Sequence, residues 1–234
     1  MRRFRCAYVL LMFATALGGY AGGRALAQTP PNKSDIFKYK GLLSSVIREN
    51  IEETRQLLAT GADPNMTDDN GRTPLIVAAH RSLEAVARML VAGGANPNSK
   101  DKQHYDIVTI AAVNDDVAFL KVALALGCHA SNITSPYDGT ALIAAAHLGH
   151  HRSIGELIMA GAPLDHVNNL GMTALIEAIV LGNGGANHQS TVRLLLDAGA
   201  NPNLADRSGA RPLALARSRG YSVMADMIMR AGGK

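Results

Sequence analysis

The chain repeats itself. GADPN begins at residue 61 and GANPN at residue 94; GCHAS follows at 127, GAPLD at 161, GANPN again at 199, and a last glycine stands at 232. The steps are 33, 33, 34, 38 and 33 residues. A second register keeps the same beat: TPLIVAA from Thr73, DIVTIAA from Asp106, TALIAAA from Thr140, TALIEAI from Thr173 and RPLALAR from Arg211, with steps of 33, 34, 33 and 38. KGLLSSV, from Lys40, stands 33 residues before Thr73. A period of this length points to one supersecondary element per unit. Such a unit cannot bury its apolar face alone, so units stack and share an elongated core.

Each unit reads as two helices. Pro74 suits a first helical turn, where its missing N–H would be unpaired in any case. The threonines Thr73, Thr140 and Thr173 stand where a side-chain oxygen caps a helix N-terminus. Ala78-Ala79, Ala111-Ala112 and Ala145-Ala146 are small enough to let neighbouring units approach closely. The second helix carries apolar i, i+3, i+4 sets such as Ile154, Leu157, Ile158 and Val192, Leu195, Leu196. The glycine after it allows a left-handed stop. Trp is absent and other aromatics are few, in keeping with thin layers packed through small residues.

These strings resemble the ankyrin repeat, whose pattern runs through a turn, T-P-L-x-x-A-A, G-H and V-x-x-L-L-x-x-G-A. Thr73, Pro74, Leu75, Ala78 and Ala79 fit one copy; Gly149 and His150 supply the G-H of another; Val192, Leu195, Leu196, Gly199 and Ala200 fit a third. The resemblance implies an all-α solenoid of about six helix-turn-helix repeats with short finger turns over 40–234. The units are 40–72, 73–105, 106–139, 140–172, 173–210 and 211–234, with 28–39 as a linker. Lys40-Gly41 in place of Thr-Pro, with Glu49, Glu52 and Glu53, suggests a solvated N-terminal cap. In the third unit Asp106-Ile107 replaces Thr-Pro and His104 takes a finger glycine position, which predicts a distorted turn. The fourth unit carries one extra residue near Pro136. The fifth carries about five, within 182–188, expected as a longer loop between its helices.

Residues 1–27 read as a signal peptide, cleaved rather than kept as an anchor. Arg2, Arg3 and Arg5 form a basic start, residues 7–17 a short apolar run, and Ala25-Leu26-Ala27 a small-x-small site. The apolar stretch, broken at Gly18 and Gly19, is short against the ~20 residues of a membrane span. This address implies a periplasmic protein without stable membrane insertion. It also accounts for the basic pI, because nineteen basic and nineteen acidic residues remain beyond it. A balanced chain offers no basic face for nucleic acid. Cys6 would leave with the signal, and the single remaining thiol, Cys128, is expected to be buried.

No catalytic constellation emerges: there is no nucleophile elbow, no metal motif, and the glycine-rich 182–185 follows a helix where a phosphate loop should precede one. No enzyme activity and no cofactor are expected. His147, His150 and His151, at i, i+3 and i+4, raise a metal-binding or stress-buffering reading, as do the terminal Met224, Met227 and Met229. His150, however, holds the G-H position that the family uses to fix a turn, and the methionines fall where a core would be filled.

By resemblance, a partner contacts the finger turns and the ends of the first helices. On this chain that implies Tyr105, Tyr137, Leu148, Leu170, Met172 and Leu181 as an exposed apolar patch in repeats three to five, flanked by Arg72, Arg81, Arg207 and Arg219. The expected function is a non-catalytic, monomeric scaffold that binds another protein in the periplasm. A membrane-tethered adaptor and a secreted effector are the alternatives with the same fold. Small exported bacterial members of the family are associated with catalases, so the resemblance makes a periplasmic catalase and oxidative-stress defence one partner and pathway to test.

Overall fold

The computed structural model describes residues 28–234. The signal segment read at 1–27, and Cys6 with it, lie outside them. After a short α1 (Lys33–Lys38), six helix pairs follow. They are α2 (Gly41–Ile47) with α3 (Ile51–Ala59), α4 (Pro74–His80) with α5 (Glu84–Ala92), and α6 (Ile107–Val113) with α7 (Val117–Ala125). Then come α8 (Ala141–Leu148) with α9 (His151–Met159), α10 (Ala174–Val180) with α11 (Ala186–Asp197), and α12 (Pro212–Ser218) with α13 (Ser222–Arg230). The first helices pack in chain order, α2 on α4 through to α12, and the second helices form a parallel layer from α3 to α13. The core runs the length of the stack between the layers. No described helix is long and apolar enough to cross a membrane.

The local chemistry explains the regularity. The hydroxyls of Thr73, Thr140 and Thr173 accept from the amides of Ile76, Ile143 and Ile176 at 3.2, 3.4 and 3.2 Å. Ala78, Ala111, Ala112, Ala145 and Ala146 are almost wholly buried between first helices. Leu90, Phe119, Leu157 and Leu195 fill the space toward the second layer. The six glycines at 61, 94, 127, 161, 199 and 232 end the second helices with positive φ. Two amides then return to the helix: for α5, Gly94 N donates to Val91 O and Ala95 N to Leu90 O. His150 ties repeats together as its motif implies, its Nδ1 donating to the Ala112 carbonyl of the preceding unit at 3.0 Å.

A further ladder runs along the opposite turns. Asn65 accepts from Asn96 N at 2.7 Å and donates to Gly94 O at 3.0 Å. Asn98 does the same with His129 N and Gly127 O, and Asn203 with Lys234 N and Gly232 O. At the equivalent place the fourth repeat has Asp165, which accepts from Asn201 N but has nothing to donate.

Three expectations need correcting. Residues 28–39 are not a linker. Asn32 caps α1 through a reciprocal box with Asp35, and the segment is bolted through Arg72 to the turn that precedes α4. The third repeat is not distorted. Asp106 caps α6 by accepting from Thr109 N at 2.8 Å, and His104 adopts φ 66°, the left-handed geometry that glycines take in other fingers. The extra residues of the fifth repeat are only partly a loop. Ala186 begins α11 early, giving it twelve residues where the other second helices of the stack have nine. The remainder is clamped. His188 is buried, with its Nε2 donating to the His147 carbonyl at 2.9 Å. Tyr221 Oη donates to Gly182 O at 3.1 Å, and its ring lies where a Cβ on Gly184 would come within 2.5 Å.

Candidate functional site

The finger turns are built by one device used five times. An oxygen on the first side chain of the turn accepts from the amides two and four residues on. Asp68 takes Asn70 N and Arg72 N, Asp101 takes Gln103 N and Tyr105 N, and Asn168 takes Leu170 N and Met172 N. Asp206 takes Ser208 N and Ala210 N, and Ser135 takes Tyr137 N and Gly139 N with longer bonds of 3.3 Å. In the finger at 135–139 the flanks pair as a minimal antiparallel hairpin, β1 (Ile133–Thr134) on β2 (Gly139–Thr140). Successive fingers are chained by backbone bonds: Lys102 N donates to Asn70 O at 2.9 Å, Ser135 N to His104 O at 3.3 Å and Asn169 N to Tyr137 O at 2.9 Å. Arg207 closes the row by donating from its guanidinium to Asn169 O. The result is a continuous wall beside the first-helix layer, prearranged before any partner arrives.

Two of the ten contact residues expected from the sequence are not on that surface. Arg72 is buried, at 2% exposure. It donates to Asp68 at 2.7 Å, to Asp35 at 2.6 Å and to the Thr29 carbonyl at 3.0 Å, while Tyr39 Oη also donates to Asp68 at 2.8 Å. Burial raises the Asp35 and Asp68 carboxyls, but the hydrogen bonds from Arg72, from backbone amides and, at Asp68, from Tyr39 together outweigh it and hold both below the usual range. Burial likewise lowers Arg72, and its two carboxylates more than restore it. A guanidinium so placed is a structural bolt, not a rim contact. Tyr105 is buried as well, its hydroxyl pushed up to about 12 by desolvation and by Asp101. Both residues stand just before the N-cap of a first helix.

The other eight are accessible, but they fall in two rows. Tyr137 and Leu170 occupy the same finger position 33 residues apart, with Met172 two residues on. Leu148 and Leu181 share the position at the far end of α8 and α10. All five are half-buried. Arg81 continues the Leu148–Leu181 row toward the N-terminus but is engaged by Glu49. Arg219 continues it toward the C-terminus, exposed, and Arg207 is exposed beside the finger row.

Between the rows lies a residue that sequence reasoning passed over. Glu177 is buried in α10, its carboxylate accepting from His147 Nδ1 at 3.1 Å and from Asn168 Nδ2 at 3.0 Å. It joins the finger that leads into its own helix to α8 of the preceding repeat. The signal was present, since Glu177 is the one carboxylate inside a first-helix apolar run. Its partners came from a finger and from another repeat, which only stacking brings together.

The chemistry-bearing residues elsewhere are inert or dispersed. Burial, then the nearby Asp106, pushes the Cys128 thiol up to about 12, and its Sγ donates to Pro97 O. His80 is driven down to about 4 by desolvation and by Arg72, so its imidazole is neutral. Among the described residues no three His, Cys, Asp or Glu side chains converge as a metal site would require.

Two helical layers, a chained row of fingers and an open first-helix face between the two apolar rows define a helical-repeat scaffold of the kind that presents an extended surface to another macromolecule. The chain belongs to the ankyrin-repeat family, matching the description "Ankyrin repeats (3 copies)" over residues 11–101 and 108–206. It is 34% identical over 183 residues to the ankyrin repeat protein YahD of Escherichia coli (strain K12), covering 78% of this chain and 90% of that one. Among solved structures it resembles an ankyrin repeat domain from Acinetobacter baumannii AYE, with TM-score 0.79, 40% identity, and coverage of 82% of this chain and 98% of that one. The ankyrin repeat domain of Bcl-3 superposes with TM-score 0.76 at 25% identity, covering 84% and 88%. Ankyrin repeats generally mediate protein–protein interaction, and their fold is generally a non-catalytic scaffold.

Proposed function

We propose that this chain is a non-catalytic adaptor that binds one protein partner in the periplasm, through the face bounded by the fingers and first helices of repeats four to six. The observation that carries the reading is the pair of accessible apolar rows, Tyr137–Leu170 on the fingers and Leu148–Leu181 on the helix ends, on a wall whose hydrogen bonds are already satisfied. A preformed wall loses little conformational freedom on binding, and half-buried aromatic and aliphatic side chains are suited to anchor a partner. The export signal read at 1–27 supports the location. The test is crosslinking and capture from the periplasmic fraction with a C-terminal tag, reading partners by mass spectrometry. One saturable partner, lost when Tyr137 and Leu170 are both replaced by Ser while helical content is unchanged, is expected. A periplasmic catalase as that partner would place the protein in oxidative-stress defence. Capture that is indifferent to both substitutions would refute the assigned face.

A further inference from the structure

The two ends of the solenoid differ in what they leave free. Toward the N-terminus five cations are held in ion pairs, Lys38 with Asp69, Arg48 with Glu53, Arg55 with Glu52, Arg72 with Asp35 and Asp68, and Arg81 with Glu49, while Lys33, Lys40 and Arg88 are exposed and enter none among the described residues. The surface there is also covered, because the 28–38 segment lies against the fingers at 68–72 and 101–105. Thr29 gives its carbonyl to Arg72, and its hydroxyl donates to Gln103 Oε1 at 3.3 Å.

The last repeat is the reverse. Residues 211–234 hold five basic side chains and one acid, Asp226. Arg207, Arg211, Arg217 and Arg219 are exposed and enter no ion pair among the described residues. Their placement is specific. The stem of Arg207 crosses the finger at 168–172 so closely that a Cβ on Gly171 would stand 2.4 Å from its Cγ, which sets it beside Leu170 and Met172. Arg211 and Arg219 flank α12 at its two ends, and Arg219 occupies the position that Leu148 and Leu181 hold in the two repeats before it. Both apolar rows therefore run into a guanidinium that has no carboxylate partner among the described residues at their C-terminal end. Most of the acids in the middle repeats are used elsewhere: Asp106 caps α6, Glu156 faces Lys121 across the second layer, Asp165 lies in the opposite turns, and Glu177 is buried. Asp138 is the exposed finger carboxylate of this half.

We infer that the partner presents an acidic polypeptide segment carrying aromatic or aliphatic side chains, laid along repeats four to six with its carboxylates on Arg207, Arg211 and Arg219. This rests on the protein-binding reading above and adds the chemistry of what is bound. Guanidinium groups suit carboxylates because their paired N–H donors match the two oxygens. Exposed charges of this kind steer encounter and give the complex a marked salt dependence.

The test uses the full chain and a fluorescently labelled random copolymer of Glu and Tyr, read by anisotropy. A Lys–Tyr copolymer, a short DNA duplex and anionic phosphatidylglycerol vesicles serve as comparators. Expected are saturable binding of the Glu–Tyr copolymer, weakening as NaCl is raised, and no measurable binding of the other three. Reversing Arg211 and Arg219 together (R211E/R219E) should weaken it about tenfold, and the neutral pair R211Q/R219Q by a smaller factor in the same direction. Reversing Arg230, which has the same charge but lies at the end of α13, should change it by no more than about twofold. Equal loss with R230E would reduce the effect to net charge and overturn the assignment, as would no binding of the Glu–Tyr copolymer or stronger binding of DNA or vesicles. If the copolymer fails while cellular crosslinking still depends on Tyr137 and Leu170, the protein-binding face stands and only the acidic chemistry is lost.

Discussion

Replacing Arg72 by Ala should release the N-terminal segment and cost far more than a surface arginine does. The guanidinium makes three hydrogen bonds of 2.6 to 3.0 Å to Asp35, Asp68 and the Thr29 carbonyl while only 2% of the residue is exposed. Its removal leaves two carboxylates facing each other with side-chain exposures of 15% and 6%. Breaking a buried pair from one side typically costs about 3–5 kcal/mol, because the orphaned charge stays desolvated. Asp35 can relieve its share by swinging out with α1, so a loss of about 2–4 kcal/mol is expected in urea unfolding. In a stack of this kind the damage is local, so limited proteolysis should cut within 28–38 before anything else. The pH dependence has a definite sign. Asp35 and Asp68 are held below their ordinary values in the native protein, so the stability they contribute is present above about pH 4 and is lost as pH falls through their native values. In Arg72→Ala that contribution is gone, and the difference from the wild-type chain should shrink in acid. A loss under about 1 kcal/mol with the segment still protected would refute the bolt.

Two further changes probe other parts of the stack. Asp165→Asn should raise stability by roughly 0.5–1 kcal/mol, seen as a higher urea midpoint, because an amide can donate to Gly199 O as Asn65, Asn98 and Asn203 donate to their glycine carbonyls; a lower midpoint would show that the carboxylate's bond to Asn201 N matters more. His80, held down to about 4, makes the wild-type chain lose stability as pH falls from about 6.5 toward 4, since the unfolded chain takes up a proton that the native one refuses. His80→Gln should flatten urea stability over that window, and an unchanged slope would argue against a buried neutral imidazole.

The comparison of Arg72 with Arg219 shows where sequence reading stops. Both looked like rim arginines at the edge of a binding face. One is locked between Asp35 and Asp68, whereas the other stands free, and the difference lies in what packs over each of them. Asp35 lies 37 residues before Arg72, in a stretch with no repeat signature, so the 33-residue beat that located every helix pair was silent about it. The same holds for His188. Its burial beneath the clamped insertion depends on Gly149 and Gly182 leaving room for its ring, which spacing alone does not encode.

What the sequence determined by itself is everything governed by local periodicity. The repeat count, the helix starts at Thr73, Thr140 and Thr173, the glycine stops and the small alanine seams all follow from capping, left-handed geometry and side-chain volume within a single unit. What only the tertiary structure decided is which polar groups meet across repeats: Glu177 with His147, Arg72 with Asp35, and the burial of Tyr105 set against the accessibility of Tyr137. The physical reason is that a repeat pattern records what each unit must bury, whereas a polar partner or an open surface depends on what the neighbouring unit places 30 or more residues away.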